Sequence, residues 1–242
     1  RFAYPERTVQ LHFYQVRRWL GEPHGREGQA LSWQLPSAVN VGPLLPANEP
    51  LLRMLSLPPI YAITQLEALG EPVFLLRLQR ALQNGLRLIQ VREKHLDTQA
   101  LRAFAAKVMA LAHPYGAKVL VNATPQVAAA LHADGVHLSS QALMALPQKP
   151  EGLIVGASCH DAEELARAAE LELDFVVFSP VLPTQSHPDA RPLGWHGFGE
   201  AIAGYSLPVY ALGGLNRSHL PEAWRQGAHG IAMLRGGWNE HD

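Results

Sequence analysis

An α/β barrel of eight parallel strands, a TIM-type (β/α)8 fold, is the architecture this sequence predicts. Three observations lead there. From Ile60 onward, eight short apolar runs alternate with helical patterns, the rhythm of a parallel sheet with right-handed crossovers. Apolar residues make up 48% of the 242, ample for a closed core. Polar or glycine-rich groups follow the strand candidates, where a barrel gathers its chemistry. A doubly wound open sheet is the rival reading of the same alternation.

Residues 1–58 read differently from the rest, as a partial α+β segment. Val9 to Val16 alternates apolar and polar residues as a half-buried strand does, and Ala30 to Leu35 is a second strand candidate beyond the turn chemistry of Gly21-Glu22-Pro23-His24-Gly25. A short helix is expected over Leu51–Leu55 with Asn48 as its cap, and Pro58-Pro59 ends the segment. The barrel then occupies 59–242. Its strands are expected at Ile60–Thr64, Leu88–Val91, Lys118–Val121, Gly135–Leu138, Leu153–Ser158, Phe175–Phe178, Pro208–Ala211 and Gly230–Leu234. Between them Phe74, Leu78, Ala81 and Leu82 share one helix face, as do Leu101, Phe104, Ala105, Val108 and Met109. Asp97 and Asp161 stand at helix N-caps, and Pro125 suits a first helical turn. After the last strand the chain is too short and glycine-rich for an ordinary closing helix, so the eighth helix is expected to be short or missing. Trp238 is expected to help seal the rim there, and the uncovered flank leaves room for the N-terminal segment or for a second copy in a homo-oligomer.

Composition narrows the partners. Twenty Lys and Arg against 21 Asp and Glu leave a net charge of -1, so no basic excess drives binding to a nucleic-acid polymer or an anionic membrane. The single cysteine, Cys159, excludes an internal disulfide and a cysteine-built zinc site, and fits a reducing, cytoplasmic setting. No run approaches the ~18 apolar residues of a spanning helix. The start, Arg1-Phe2-Ala3-Tyr4-Pro5, has neither an initiator Met nor a signal-peptide pattern, as expected of a fragment or processed product.

Candidate chemistry therefore sits at the carboxyl ends of the strands. Gln90, Arg92 and Lys94 follow the second strand, Asn122 the third, and His137 and Ser139 the fourth. Ser158 and His160 follow the fifth, and Thr184 and Ser186 the sixth. Gly213-Gly214 follows the seventh and Arg235-Gly236-Gly237 the eighth, where bare backbone N–H groups can approach a phosphate. Arg92 and Lys94 suit a second anionic group. Ser158-Cys159-His160 could equally be a capped turn, and His137 a satisfied histidine.

Five motifs in order, Gln90-Val91-Arg92-Glu93-Lys94, Gly135-Val136-His137-Leu138, Gly156-Ala157-Ser158-Cys159-His160, Phe178 to Thr184 and Ala211-Leu212-Gly213-Gly214, resemble the thiamine phosphate synthase/TenI barrel family from about Ile60 to Trp238. The resemblance implies a (β/α)8 fold and a thiazole phosphate or thiamine phosphate ligand. Two departures are expected to matter. Synthases of this family carry Asp after the Asn that ends the third strand and another Asp after Gly-Val-His-Leu, and these hold magnesium. This sequence has Ala123 and Ala142 there, which offer no oxygen ligand. The family's Thr-Lys pair reads Ser186-His187. TenI-like members are thiazole tautomerases whose acid/base histidine matches His160, and proton transfer needs no metal or other cofactor. In that reading Asn122 and Ser158 orient the ring or the ligand. The alternatives are thiamine phosphate synthesis, which would need Glu93 or Ser139 to recruit Mg2+, and a noncatalytic ligand-binding module.

Arg26-Glu27-Gly28-Gln29 before Trp33, with Pro46-Ala47-Asn48-Glu49-Pro50, resembles the C-terminal end of a MutT-like Nudix hydrolase, in which the residue matching Asn48 contacts the oxidised guanine base. No Arg-Glu-x-x-Glu-Glu box occurs in the 242 residues. The resemblance implies a Nudix–TenI fusion, with this chain lacking the hydrolase's catalytic half and its 8-oxo-dGTP activity.

Overall fold

The structure is a computed structural model that describes residues 2–10, 16, 18–36, 38–184 and 191–238. The chain divides into two units, Arg1–Ser56 and Leu57–Asp242. In the first, β1 (Phe2–Tyr4) and β2 (Arg7–Val9) pair antiparallel, and a 3-10 turn, Pro46–Asn48, runs straight into α1 (Glu49–Ser56). The strand expected over Val9–Val16 is not found as such. Val9 ends β2, Gln10 and Val16 are irregular, and 11–15 lie outside the described residues. Ala30–Leu35 is irregular too. Alternation marks a strand only where a neighbour supplies a ladder: Val9 pairs with Phe2, and Ala30–Leu35 has no ladder among the described residues. Asn48 directly precedes α1 as the last residue of the 3-10 turn, its N–H donating to the Leu45 carbonyl at 2.8 Å.

The second unit runs β3 (Ile60–Ile63), α2 (Leu66–Leu69), α3 (Glu71–Gln83), β4 (Leu88–Val91), α4 (Thr98–Ala112), β5 (Lys118–Val121), α5 (Pro125–Ala130), β6 (Gly135–Leu138), α6 (Ser140–Ala145), β7 (Ile154–Cys159), α7 (Ala162–Glu170), β8 (Phe175–Phe178), α8 (Gly194–Ala201), β9 (Val209–Ala211), α9 (Leu220–Arg225) and β10 (Gly230–Met233). All eight strands from β3 to β10 pair in parallel, and β10 pairs with β3 to close a barrel. The expected strands agree to within one residue at each end, and the rival open sheet is excluded by that closure. Helix starts follow from local chemistry: Asp97, Thr124, Ser139 and Asp161 accept from the N–H groups of Ala100, Val127, Ala142 and Glu164. Among the described residues no helix is long and apolar enough to cross a membrane.

The two-residue period of each strand sorts side chains between two cores. Ile89, Val91, Val119, Val121, Val136 and Val176 point outward to the helices, where Phe74, Leu78, Leu82, Phe104 and Val108 meet them. Tyr61, Leu88, Leu120, Phe175 and Tyr210 point inward. Three of these form an interlocked floor: the Phe175 ring meets Tyr61 and Tyr210 edge-on, each at 5.2 Å between centroids. Gly156 makes room, since a Cβ there would lie 2.5 Å from the Phe175 ring. The Tyr210 hydroxyl donates to the Pro58 carbonyl.

Among the described residues no helix follows β10; the chain makes a tight turn over 235–238. Trp238 is buried, its ring 4.8 Å from Phe74, its Nε1 donating to the Ile63 carbonyl at 2.6 Å, and its own carbonyl accepting from Arg77. The rim beside β3 is sealed by this one side chain, as its position in the sequence suggests.

At the opposite, amino-terminal face two aspartates tie neighbouring strands. Asp134 accepts from the Val119 N–H at 2.9 Å, Lys118 Nζ at 2.8 Å and His113 Nε2 at 3.0 Å; Asp174 accepts from the Val155 N–H and Lys149. Burial raises the Asp134 carboxyl, but these hydrogen bonds and the Lys118 charge outweigh it and hold the group below its ordinary value. A carboxyl lowered on folding adds stability above its unfolded pKa and loses it as pH falls through the folded one. Asp134→Asn should therefore cost roughly 1–2 kcal/mol at neutral pH, about one hydrogen bond to a charged group with allowance for solvent. The gap between variant and parent should close on acidification, read by denaturant melts across pH; a gap independent of pH would refute it.

Candidate functional site

Strand parity delivers the polar residues to the mouth. On β4, Leu88 and Gln90 face in, so Arg92 continues the inward row; on β5 Leu120 faces in, and Asn122 follows. The Arg92 N–H is held by the Thr64 hydroxyl at 3.0 Å, and the Thr64 N–H by the Gln90 carbonyl at 2.9 Å, so the tips of β3 and β4 are laced together. The Arg92 guanidinium is half-buried, yet it forms no hydrogen bond or ion pair with any described residue. Burial lowers its pKa, and the Glu93 charge opposes that. Glu93 does not neutralise it directly: its Oε1 accepts from the Leu66 N–H at 2.9 Å and starts α2. Gln90 is 2% exposed, and its amide has no partner among the described residues. No described side-chain atom is both fully enclosed and unpartnered, so that amide opens on the mouth. Lys94 is exposed beyond it.

His137 is buried in the barrel interior. Its Nδ1 lies 3.2 Å from the Tyr61 hydroxyl and its Nε2 3.0 Å from Ser158 Oγ. Burial, helped by the Arg92 charge, pushes it down to about 3, so it stays neutral. This is the satisfied histidine that the sequence left open.

His160 stands just past β7 and is exposed. Its Nδ1 is 3.0 Å from the Ser179 carbonyl and 3.3 Å from Ser179 Oγ, while its backbone N–H donates to Glu164 at 2.6 Å. A carbonyl only accepts, so Nδ1 carries the proton and Nε2 keeps a lone pair for the mouth. The ring is held by Ser179; the Ser158 hydroxyl meets His137, and of the two roles expected for Asn122 and Ser158, ring or ligand, the ligand remains. Cys159 points outward, buried and pushed up to about 12 by burial with help from Glu164 and Asp161, an inert thiol.

Gly213 and Gly214 have φ of 116° and 64°, and a Cβ on either would strike the 180–183 loop, 2.9 Å from the Val181 nitrogen and 2.5 Å from the Pro183 carbonyl respectively. Their N–H groups, with that of Gly236, donate to nothing among the described residues. A Cβ on Gly236 would lie 3.0 Å from the Leu215 carbonyl, so the loops after β9 and β10 touch. Arg235 is exposed beside them, and Thr184 is half-buried at the end of the described part of its loop. Ser186 lies outside the described residues.

Magnesium does not fit the donor set. Ala123 and Ala142 pack partly against the outer core. Glu93 is engaged by Leu66, and the Ser139 hydroxyl caps α6. Among the described residues no three His, Cys, Asp or Glu converge as metal ligands. Sequence reasoning missed Tyr61, Thr64 and Ser179. Parity along Ile60–Ile63 marks Tyr61 as inward, whereas a contribution through a main-chain carbonyl, as at Ser179, leaves no trace in residue type.

Residues 60–236 match the family described as thiamine monophosphate synthase (TMP-TENI). A putative thiamine-phosphate synthase 2 from Aquifex aeolicus is 38% identical over 182 residues, 74% of this chain and 97% of that protein. A putative thiamine-phosphate synthase from Geobacter sulfurreducens is 34% identical over 72% of this chain and 84% of its own length. Among solved structures, a thiamine phosphate pyrophosphorylase from Pyrococcus furiosus superposes with a TM-score of 0.62 at 30% identity, covering 75% of this chain and 88% of that one.

A half-buried cation without a partner costs folding free energy that a bound anion returns. Arg92→Met should raise stability by roughly 0.5–1 kcal/mol while weakening anion binding about tenfold or more. Thermal melts with and without inorganic phosphate or thiazole phosphate check both halves. A variant that melts lower and binds equally well would remove Arg92 from the site.

Proposed function

The chain belongs to the thiamine monophosphate synthase (TMP-TENI) family of thiamine-biosynthesis barrels, and from that premise we propose that its mouth binds thiazole phosphate and that the chain is a metal-free thiazole tautomerase. Gly213, Gly214 and Gly236 offer backbone N–H groups to the phosphate, with Arg235 adjacent. Arg92 and Lys94 face a carboxylate or second anion, and Gln90 and Asn122 border the ring. His160 takes a proton from one carbon of the carboxylated thiazole through Nε2. As the conjugated electrons shift, the imidazolium returns that proton to another carbon, and the Ser179 carbonyl opposite Nδ1 stabilises the transient cation. The observation that carries this reading is the Nδ1 of His160 held 3.0 Å from that carbonyl, near a mouth where the Arg92 guanidinium and the N–H groups of Gly213, Gly214 and Gly236 have no acceptor among the described residues.

A second reading, condensation to thiamine phosphate, is favoured by the names of the relatives, which are thiamine-phosphate synthases. The donor set speaks against it, because a departing pyrophosphate calls for a dication that Ala123 and Ala142 do not ligate. For residues 1–58 we keep the resemblance to a Nudix C-terminal end as a proposal. It rests on Arg26-Glu27-Gly28-Gln29 and Pro46 to Pro50, and oxidised dGTP should go unhydrolysed by this chain.

His160→Ala should lower tautomerase turnover by about 10²–10⁴-fold, the usual worth of a general acid–base, while thiazole phosphate binding changes little. The parent rate should not change with added Mg2+ or chelator. Magnesium-dependent coupling of a pyrimidine pyrophosphate to thiazole phosphate would establish the second reading, and full turnover in the His160 variant would remove the first.

A further inference from the structure

The neutral pair His137–Ser158, 3.0 Å apart, has the spacing of a base and a serine nucleophile. Its direction is set from beneath. Tyr61 is fully buried on the aromatic floor, and its hydroxyl has one partner among the described residues, His137 Nδ1 at 3.2 Å. Burial keeps the phenol protonated, and a buried O–H that donates to nothing is strongly disfavoured. The phenol therefore donates to Nδ1, which must hold its lone pair. A neutral imidazole with a bare Nδ1 carries its proton on Nε2, and Nε2–H donates to Ser158 Oγ. The serine's own proton is then left over. Ser158 is half-buried in the inward row of β7, two residues before His160, so that proton is available to a ligand in the mouth.

We propose that Tyr61, His137 and Ser158 form a one-way hydrogen-bond chain that makes Ser158 an obligate donor to the ligand and removes it as a nucleophile. The chain selects a ligand that presents an acceptor at this point, such as a ring nitrogen or carboxylate oxygen, over one that presents an N–H or O–H. His137 cannot receive the Ser158 proton, because its facing nitrogen already bears one. Tyr61 and His137 are positioning residues; Ser158 alone touches the ligand. The identity of that ligand rests on the proposed thiazole phosphate reading, but the direction of the chain does not.

The primary test is nitrogen NMR of the full chain without ligand, which reads the tautomer of His137 directly. Protonated Nε2 with bare Nδ1 is expected, and protonated Nδ1 would overturn the proposal whatever the enzyme catalyses. Tyr61→Phe removes the phenol and should release His137 into mixed tautomers with the fold retained by circular dichroism. It should also weaken thiazole phosphate binding by about tenfold, near one hydrogen bond. Ser158→Ala should weaken binding similarly, and Tyr61→Phe combined with Ser158→Ala no further, because both act through one bond. Additive losses would overturn the chain, as would covalent labelling of Ser158 by a fluorophosphonate. Absence of tautomerase turnover with the expected His137 tautomer would sink the function reading and leave the chain standing.

Discussion

A closed parallel barrel has to fill its own interior, and here three aromatic rings do so. Phe175 lies edge-on to Tyr61 and Tyr210, and Gly156 stands where any Cβ would collide with it. Everything functional is built on that floor. The rings occupy the lower interior, so the next inward positions, Gln90, His137 and Ser158, are lifted to the mouth. One of the rings also reaches upward: the Tyr61 hydroxyl is the point at which apolar packing becomes a polar network. Gly156, the first residue of its motif, is a packing requirement two residues below Ser158.

The two ends of the barrel treat charge in opposite ways. At the amino-terminal face Asp134 and Asp174 each collect a backbone N–H and a lysine, so charge is matched and serves stability. At the carboxyl face the Arg92 guanidinium and the N–H groups of Gly213, Gly214 and Gly236 have no protein acceptor among the described residues. Glu93, adjacent in sequence to Arg92, could have neutralised it, but its carboxylate is committed to the start of α2. Unmatched donors are what an anion site offers, and a barrel gathers such groups at the carboxyl ends of its strands.

The barrel was legible because buried strands and amphipathic helices leave strong periodic marks. All eight strands came within one residue, and Asp97, Asp161 and Pro125 stood at the helix starts. The first 56 residues were less so. Alternation in Ala30–Leu35 promised a strand, but a strand is a property of a pair and no ladder is described there; of Val9–Val16, Val9 pairs with Phe2 and 11–15 lie outside the described residues. At the site, residue type marked the strand ends that carry candidate groups: His160, Arg92 and the paired glycines. It did not reveal who holds whom. Ser158 seemed placed to steer His160 and instead serves His137, while His160 is steered by a main-chain carbonyl from β8's far end, a contact made by shape alone.

The mouth thus contains two imidazoles with opposite constraints. His137 is buried with both nitrogens engaged by neutral groups, and burial keeps it neutral. His160 is exposed, with one nitrogen tied to a carbonyl and the other bare. A carbonyl opposite Nδ1 tolerates the ring as either imidazole or imidazolium, because the N–H is present in both forms. That is the environment a proton shuttle needs, and a histidine locked between a phenol and a serine cannot supply it. Replacing metal-binding carboxylates by Ala123 and Ala142 acts in the same direction. In the proposed tautomerase reading the cations at the mouth face an anionic ligand, and relocating a proton calls for no dication.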